Sequence, residues 1–305
     1  MHIRTVLGDI PPGEMGITAC HEHLLWVVPE PYAGEDPDLG FDSVPAAVDE
    51  LRHFKRLGGA ALVEMTTAEI GRHPQGLAQI SRAAGVHVIA AAGHHKAKFS
   101  AAALEGQTVE QIAARMVTEV RDGIDGTGIR AGVIKAATSA GEAAESELHV
   151  IRAAGLAYQE TGAPVSTHTE AGTFAVEQAQ LLLEAGVRPD KLCVGHLDRG
   201  LEPRTYLELA GMGIYLGFDQ IGKEKYWPDA ERVRLIQDLV ERGHGGQILL
   251  SGDTARKSAW YAHNPQTQGI SHLLVRFSPA LLQAGVSPNA IHHLLVENPA
   301  SFFAF

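Results

Sequence analysis

Four histidines, one lysine and one aspartate are the residues of this sequence best suited to chemistry, because each follows a short apolar run. They are His21, His23, Lys135, His168, His196 and Asp253. Imidazole and carboxylate groups are typical ligands of Zn²⁺, Mn²⁺, Co²⁺ and Fe²⁺. Histidine is also abundant overall, with 16 residues in a chain of 305. These residue types therefore indicate metal chemistry.

The spacing of the first two histidines supports a shared site. Successive side chains of a β-strand point to opposite faces, so His21 and His23 share one face and Glu22 points away. Two imidazoles on one face supply half of a metal site. Taken singly, each candidate has a simpler explanation, such as a hydrogen-bonded core histidine, a helix cap at Asp253 or a solvent-reaching Lys135. The common position of all six at strand ends favours the functional interpretation.

The lysine has a chemistry of its own. Lys135 ends the apolar run Gly132-Val-Ile-Lys135, where an ammonium group is costly to desolvate unless it is paired or modified. Burial lowers the pKa of an amine, and a neutral amine reacts with CO₂ to form a carbamate. A carbamate is a carboxylate on a long stem that can bridge two cations. Two bridged cations hold a hydroxide at neutral pH and polarise a carbonyl or phosphoryl oxygen.

The elements that must position these residues are eight short apolar runs that alternate with amphipathic segments. The runs show little internal alternation, which is typical of strands buried on both faces. The candidate strands are Gly16–Cys20, Ala60–Thr66, Val86–Gly93, Ala131–Ala136, Pro164–His168, Lys191–His196, Gly213–Phe218 and Gln247–Ser251. Helical periodicity is found in Ser43–Leu57, Thr108–Val120, Glu145–Glu160, Thr173–Ala185, Pro228–Glu241, His272–Gln283 and Asn289–Phe303.

Eight strand–helix units in a chain of this length predict an α/β fold, namely one (β/α)₈ barrel domain over residues 1–305. An open doubly wound sheet is the alternative, but no G-x-G-x-x-G motif follows the first strand. In a barrel the functional residues lie at the carboxyl ends of the strands, which is where all six candidate ligands are predicted. Cys20 and Cys193 are expected to be core residues.

Composition excludes several classes of protein. The chain is 45% hydrophobic and 20% charged, which suits a large core and argues against disorder. Its 36 acidic and 25 basic residues give a net charge of −11, so neither nucleic acid nor an acidic membrane is an expected partner. No apolar run is long enough to span a membrane, and no signal-peptide pattern is visible. With two cysteines only, the cytoplasm is the expected compartment.

The ordered motifs resemble the phosphotriesterase family of the amidohydrolase superfamily along nearly the whole chain. They are Gly16-Ile-Thr-Ala-Cys-His-Glu-His-Leu, the Lys135 run, Thr167-His168-Thr, Val194-Gly-His196-Leu-Asp, Gly217-Phe-Asp219, Ser251-Gly-Asp253 and Glu297-Asn-Pro-Ala-Ser-Phe-Phe. The family includes phosphotriesterases, lactonases and proteins of unknown substrate. The resemblance implies a binuclear metal-dependent hydrolase of ester-type bonds, in which a metal-bridging hydroxide is the nucleophile.

The resemblance also implies a role for each ligand. Three residues bind the more buried metal, two bind the more exposed one, and carbamylated Lys135 bridges both. The first three are His21, His23 and Asp253, and the other two are His168 and His196. Asp253 additionally takes a proton from the attacking hydroxide and returns it to the leaving group. Zn²⁺ is the first candidate for both metals, with Mn²⁺, Co²⁺ or Fe²⁺ as alternatives. A homodimer is implied too, because family members commonly form one.

One departure from the family bears on the substrate. Where phosphotriesterases have a histidine after the Gly-x-Asp motif, and quorum-type lactonases have arginine and an aromatic residue, this chain has Gln220-Ile221. The predicted small-molecule substrate is therefore a lactone, including a sugar or phosphorylated lactone. A phosphotriesterase or carboxylesterase is the first alternative, and a non-catalytic ligand-binding protein is the second. Lys135 argues against a mononuclear deaminase, since a single metal needs no bridging carboxylate.

Loop residues of basic, aromatic or amide character are the candidates for substrate binding. They are His94, Gln220, Lys223, Tyr226, Arg256 and Trp260. Lys223 and Arg256 are expected at the mouth of the barrel, where they bind an anionic group remote from the scissile bond. The aromatic residues are expected to form pocket walls. The alternatives are solvated surface cations and plain packing. Asp198 and Asp219 are expected to orient metal-binding histidines or neighbouring loops.

Overall fold

An eight-stranded parallel barrel forms the centre of the computed structural model, which describes residues 1–305. A short antiparallel hairpin of β1 (Ile3–Thr5) and β2 (Gly8–Ile10) precedes it. The barrel strands are β3 (Thr18–Glu22), β4 (Ala61–Glu64), β5 (His87–Gly93), β6 (Val133–Thr138), β7 (Val165–Thr169), β8 (Leu192–Val194), β9 (Tyr215–Phe218) and β10 (Ile248–Leu250). Neighbours in the barrel follow chain order. Beyond the strand ends, the Asp253 amide donates to the His21 carbonyl oxygen at 3.1 Å and links the last strand to the first.

The predicted (β/α)₈ barrel is confirmed, and all eight predicted strands are present. Their ends differ from the predicted ends by at most two residues. The first strand begins and ends two residues later than predicted. His21 and Glu22 therefore lie inside β3, and His23 follows it directly. Because the strands are parallel, their carboxyl ends meet at one mouth of the barrel.

Helices cover the outside of the barrel. They are α1 (Val44–Arg56), α2 (Pro74–Ala84), α3 (Ala97–Leu104), α4 (Val109–Arg121), α5 (Glu145–Thr161), α6 (Ala175–Glu184), α7 (Pro203–Gly211), α8 (Asp229–Glu241), α9 (Ser278–Gln283), α10 (Pro288–His292) and α11 (Asn298–Phe303). A large apolar layer separates them from the strands. None of these helices combines the length and the apolar character needed to cross a membrane.

Three helices were not predicted, and their sequences explain why. Helices α2 and α7 each begin with a proline, which suits the first turn of a helix but also occurs in turns. Helix α3 is an alanine-rich segment without apolar residues at three- and four-residue spacing. The two predicted carboxyl-terminal helices contain π-helical segments at Leu273–Phe277 and His293–Glu297. Each segment ends at an X–Pro pair, where proline has no N–H to close an α-helical turn.

The end of the barrel opposite the mouth is closed by apolar side chains and by both chain termini. Phe302 and Phe303 are fully buried in a cluster inside the barrel. The chain ends pair through two backbone hydrogen bonds between His2 and Phe305, at 3.0 and 2.9 Å. Cys20 and Cys193 are buried, unpaired members of the same inner cluster, as predicted for core residues. Polar chemistry is thereby restricted to the mouth.

Removing the Phe303 ring is expected to destabilise the barrel strongly, because the ring is fully buried and its loss leaves an empty cavity in the apolar interior. We expect Phe303→Ala to lower the free energy of unfolding by about 3–5 kcal/mol. Urea denaturation followed by circular dichroism measures the change. The control is Leu282→Ala on α9, whose side chain is 52% exposed and whose loss is expected to cost about 0.5 kcal/mol or less. Equal effects of the two variants would contradict a filled barrel interior.

Candidate metal centre

The structure brings all six predicted ligands to one cavity of about 140 Å³ at the mouth of the barrel. They are His21, His23, Lys135, His168, His196 and Asp253. The ring centroids of His21 and His196 lie 4.9 Å apart, and those of His168 and His196 lie 4.4 Å apart. All these side chains are nearly or completely buried. Residues from five strand ends, far apart in the sequence, therefore converge within a few ångströms.

Asp219, at the end of β9, contacts two of the histidines. One carboxylate oxygen accepts a hydrogen bond from His196 Nδ1 at 2.7 Å, and the other lies 3.1 Å from His21 Nδ1. Burial raises the pKa of Asp219, but the two histidines outweigh it and hold that pKa well below its usual value. With each Nδ1 facing a carboxylate, the Nε2 atom of each ring is available to a metal. This geometry agrees with the predicted orienting role of Asp219.

The other two histidines also have a partner behind them. His23 Nδ1 lies 2.7 Å from the Thr66 hydroxyl, and His168 Nε2 lies 3.4 Å from the Glu170 carboxylate. Burial lowers the pKa of His23 well below its usual value and lowers the pKa of His168 to about 3. Both rings are therefore neutral at neutral pH, which is the form that binds metals.

Lys135 is completely buried at the centre of the site. Its ammonium nitrogen donates a hydrogen bond to the Met65 carbonyl oxygen at 2.9 Å. Burial lowers the pKa of Lys135 to about 8, although several nearby carboxylates act in the opposite direction. About a tenth of the amine is therefore neutral at pH 7, far more than for an ordinary lysine, and the neutral amine is the form that reacts with CO₂.

Asp253 lies in a strained loop that Glu22 holds in place. Its φ angle of 45° is in the left-handed region, which non-glycine residues seldom adopt. Glu22 points away from the cavity, as predicted, and accepts hydrogen bonds from Ser251 Oγ at 2.8 Å and from the Gly252 and Thr254 amides at 2.8 and 2.7 Å. These bonds fix the residues on both sides of Asp253. Its carboxylate lies 3.4 Å from His23 Nε2 and pairs with the Lys223 ammonium.

The donor set fits divalent metal ions. Two groups of three residues bring their ligand atoms within 4.8 Å of one another, and His21 belongs to both. The groups are His21, His23 and Asp253, and His21, His196 and Asp219. His21 Nε2 is buried and has no hydrogen-bond partner. Buried polar atoms almost always have a partner, and a cation is the partner that suits an imidazole lone pair.

The candidate substrate-binding residues differ in where they lie relative to the cavity. Lys223 reaches the centre through its ion pair with Asp253. Gln220 is buried beside the cavity, where its side chain accepts a hydrogen bond from Arg199. Tyr226 is 39% exposed, and its ring lies 3.7 Å below the Arg199 guanidinium. Neither Gln220 nor Tyr226 lines the cavity.

Arg256, predicted to bind an anion at the mouth, Trp260, predicted as a pocket wall, and His94, a further substrate-binding candidate, are not among the residues that line the cavity. The Arg256 guanidinium forms ion pairs with two aspartates of the loop after β3, at 2.7 and 3.4 Å. Trp260 is fully buried, and its indole N–H donates to the Thr254 carbonyl oxygen at 2.7 Å. His94 is buried with its Nδ1 3.4 Å from the Glu69 carboxylate. The side chains of Arg256 and Trp260 therefore already have protein partners.

The observed walls are residues that sequence reasoning did not assign to the pocket. They are Trp26, Ile70, His95, Phe99 and Ala255. His95 rather than His94 lines the cavity, and it is in phase with Ile89 and Ala91, the residues of β5 that belong to the inner cluster. A Cβ at Gly93 would lie 2.1 Å from the Lys135 carbonyl oxygen, so only glycine fits there. The other wall residues lie in loops or in the unpredicted α3, where no periodic signal exists.

A parallel barrel whose strand ends bring four histidines, a buried lysine and an aspartate together defines a class of metal-dependent hydrolases. The sequence profile of the phosphotriesterase family matches residues 1–303, and the chain belongs to this family. The family resemblance predicted from the ordered motifs is therefore confirmed.

Characterised relatives and solved structures match the chain over nearly its whole length. The phosphotriesterase homology protein of Escherichia coli (strain K12) is 34% identical over 289 residues, which cover 94% of this chain and 98% of that protein. The phospho-furanose lactonase of Mycoplasmopsis synoviae (strain 53) is 34% identical over 323 residues, covering 99% and 91%. The crystal structure of a lactonase from Listeria monocytogenes matches with a TM-score of 0.94 and 32% identity, covering 100% of this chain and 99% of that chain.

The position of Asp219 between two histidines leads to a direct test. Asp219→Asn keeps the shape of the side chain but removes the charge and one acceptor, so both rings lose part of their support. We expect the affinity for divalent metal to fall by about 10–100-fold, measured as metal per chain after equilibration against graded chelator concentrations. The control is Asp190→Asn, which changes an exposed carboxylate paired with Arg188. Metal retention that is the same in both variants would contradict the orienting role.

Proposed function

We propose that this protein is a lactonase that uses a binuclear metal centre at the mouth of its barrel. The observation that supports this most strongly is the convergence of six potential ligands on one buried cavity. The names of two relatives, a phospho-furanose lactonase and a lactonase of known structure, support the choice of substrate class.

The ligands divide between two cations as the family pattern implies. Three residues would hold one cation, two would hold a second, and a carbamate on Lys135 would serve both. The first three are His21, His23 and Asp253, and the other two are His168 and His196. Zn²⁺ is the first candidate, since imidazole and carboxylate ligands suit it well. When bound, the cations supply a water nucleophile that is activated at neutral pH and polarise the carbonyl oxygen of the substrate.

The surroundings of Lys135 favour its conversion to the carbamate. The neutral amine attacks CO₂, a C–N bond forms, and one proton is released to solvent. The product retains one N–H on the same nitrogen, so the hydrogen bond to the Met65 carbonyl oxygen can persist. Lys135 is the one lysine that lines the cavity, so no other residue there could form a carbamate.

Asp253 is the residue that moves the proton during hydrolysis. Ring opening of a lactone consumes one water, whose proton must reach the ring oxygen as the C–O bond breaks. Burial raises the pKa of Asp253, but Lys223 and three histidines outweigh it and keep this carboxylate ionised. It therefore accepts the proton of the attacking water and delivers it to the leaving oxygen.

His95 is the cavity residue placed to donate a hydrogen bond to the substrate. Its Nδ1 accepts a hydrogen bond from the Lys96 amide at 2.7 Å, so the ring proton resides on Nε2. The ring lines the cavity, 4.8 Å from that of His168 between centroids. A neutral N–H at this position suits the carbonyl or hydroxyl oxygens of a lactone.

A cationic cluster beside the centre supports an anionic group on the substrate. Three cations surround the ring of Tyr226, with Arg199, Lys225 and Lys223 at 3.7, 4.8 and 6.0 Å from its centroid. In a chain with a net charge of −11, such a local excess of positive charge favours an anion. Lys223 connects this cluster to Asp253. A phosphate or carboxylate remote from the scissile bond is the group that this arrangement fits.

A phosphotriesterase or carboxylesterase with the same centre is the second candidate. The observation in its favour is that an aryl ester or phosphotriester needs the same nucleophile, and the cavity has an apolar wall of Trp26, Ile70 and Phe99. Against a phosphotriesterase stands Gln220, which replaces the histidine found in that branch and is held by Arg199. Product identity separates the candidates.

The metal content of Lys135→Ala tests the centre itself. We expect about two metals per chain in protein purified with bicarbonate, and loss of at least one metal together with hydrolysis in the variant. Metal is measured by emission spectroscopy, and hydrolysis is assayed on neutral and phosphorylated lactones and one aryl phosphotriester. Lys191→Ala is the control, because its amine binds carbonyl oxygens at the closed end of the barrel. A wild type with one metal or none and no turnover would contradict the proposed function.

The anion preference is tested with Lys223→Met and Arg256→Met. We expect Lys223→Met to lower kcat/KM for a phosphorylated lactone about tenfold more than for its neutral analogue, which corresponds to about 1.4 kcal/mol. The ratio of the two substrates corrects for any disturbance of Asp253. Arg256→Met is expected to have a smaller selective effect, because Asp36 and Asp38 already occupy its guanidinium. Equal losses on both substrates would contradict anion binding at Lys223.

A further inference from the structure

Strand β4 supplies no predicted metal ligand, yet its end lies directly behind two of them. The strand ends at Glu64, and Met65 and Thr66 follow. Thr66 Oγ contacts His23 Nδ1 at 2.7 Å, and the Met65 carbonyl oxygen accepts the hydrogen bond of Lys135 Nζ at 2.9 Å. One three-residue segment therefore contacts one imidazole and the buried lysine of the centre.

Glu64 is the least expected member of this segment, because it is a completely buried carboxylate. One of its oxygens accepts hydrogen bonds from the Leu24 amide at 3.1 Å and from Thr66 Oγ at 2.6 Å. Its other oxygen accepts from the Thr66 amide at 3.1 Å. All three donors are uncharged, so these bonds offset only part of the cost of burying the carboxylate. An apolar residue would avoid that cost, and the carboxylate therefore needs a functional explanation.

Counting protons along this chain of hydrogen bonds determines the state of His23. A hydroxyl has one proton to donate, and Thr66 donates it to Glu64. Thr66 Oγ must therefore accept a proton from its other neighbour, which is His23 Nδ1. The imidazole consequently has its proton on Nδ1 and a lone pair on Nε2. That Nε2 atom lies 3.4 Å from the Asp253 carboxylate, on the side of the other ligands.

We propose that Glu64 and Thr66 are positioning residues of the metal centre. They hold His23 in the tautomer whose Nε2 lone pair binds metal, while the intervening Met65 carbonyl holds the Lys135 nitrogen. Neither residue lines the cavity, so neither touches the substrate. This inference rests on the metal centre of the proposed function, but not on the identity of the substrate.

The first experiment measures metal affinity in full-length Thr66 variants. Thr66→Val keeps the branched shape and removes the hydroxyl, whereas Thr66→Ser keeps the hydroxyl. Metal-stripped protein is titrated with Co²⁺ in the presence of a competing chelator and bicarbonate. We expect at least one of the two metals to bind about 10–100-fold more weakly to Thr66→Val, and Thr66→Ser to bind within about threefold of the wild type.

A matched control separates positioning from folding. Thr18, like Thr66, is a fully buried threonine, but it lies at the start of β3, away from the mouth of the barrel. Its hydroxyl donates a hydrogen bond to the Gly16 carbonyl oxygen at 2.9 Å. Thr18→Val is expected to lower thermal stability without changing metal affinity. Glu64→Gln provides a second test, because its amide can donate to Thr66 and so reverse the direction of the hydrogen bonds. If Thr66→Val does not fold, Glu64→Gln is measured in its place and is expected to weaken metal binding in the same way.

The second experiment detects the His23 proton itself. In metal-loaded, ¹⁵N-labelled protein, the Nδ1–H of His23 should give a slowly exchanging imidazole signal in the wild type and in Thr66→Ser. The same signal should be lost or exchange rapidly in Thr66→Val, an effect that a merely structural role would not produce.

Neither experiment uses a substrate, so the outcomes of the two proposals are distinguishable. Wild-type metal affinity in folded Thr66→Val and Glu64→Gln would overturn the positioning role and leave the lactonase proposal standing. A wild type that binds metal as expected but opens no lactone would overturn the lactonase proposal alone. A wild type that binds no divalent metal would overturn both.

Discussion

Water has little access to the floor of the catalytic cavity, so the polar groups there must find partners within the protein. The four histidines each have one ring nitrogen next to a carboxylate or a hydroxyl, which leaves the second nitrogen available to a metal. Asp219 serves two of these rings, whereas Glu170 and Thr66 serve one each. The candidate metal site thus depends on a second set of polar residues, whose pairing with the imidazoles restricts the orientation of the rings.

The same partners also stabilise unusual backbone at the ligands. His196 and Asp253 have φ angles of 60° and 45°, in the left-handed region that costs free energy for residues with a Cβ. The His196 amide donates to Asp219 at 2.8 Å, and Glu22 binds the residues that flank Asp253. A carboxylate that binds both a side chain and a strained main chain couples the two, so the ligand atom and its loop have one common geometry.

The sequence was sufficient to predict the barrel and the convergence of six polar side chains at its mouth, because both follow from local pattern. Short apolar runs identify the strands, and the strand ends of a parallel barrel meet at one mouth. Of the partners of the histidines, Asp219 was expected, whereas Thr66 was not, since its contact with His23 joins residues 43 positions apart in the chain. The choice of His94 instead of His95 was avoidable, because His95 follows Ile89 and Ala91 at two-residue spacing and these two residues point into the barrel. The amino-terminal hairpin was missed because its two strands have only three residues each.

The predicted ligands lie at strand ends, whereas the cavity walls lie in loops and in α3. This difference explains why the reaction chemistry was easier to predict than the substrate. Three of the six predicted ligands lie inside barrel strands, and the other three follow a strand by one to three residues, so their relative positions follow largely from the fold. The cavity walls come instead from loops and from α3, where Trp26 and Phe99 are placed by packing that only the folded chain defines. Two surfaces of different character result, an aromatic wall in the cavity and a group of cations around Tyr226. A substrate with an apolar face and a remote anion would match both, and its recognition would then depend on loop residues rather than on the strand ends.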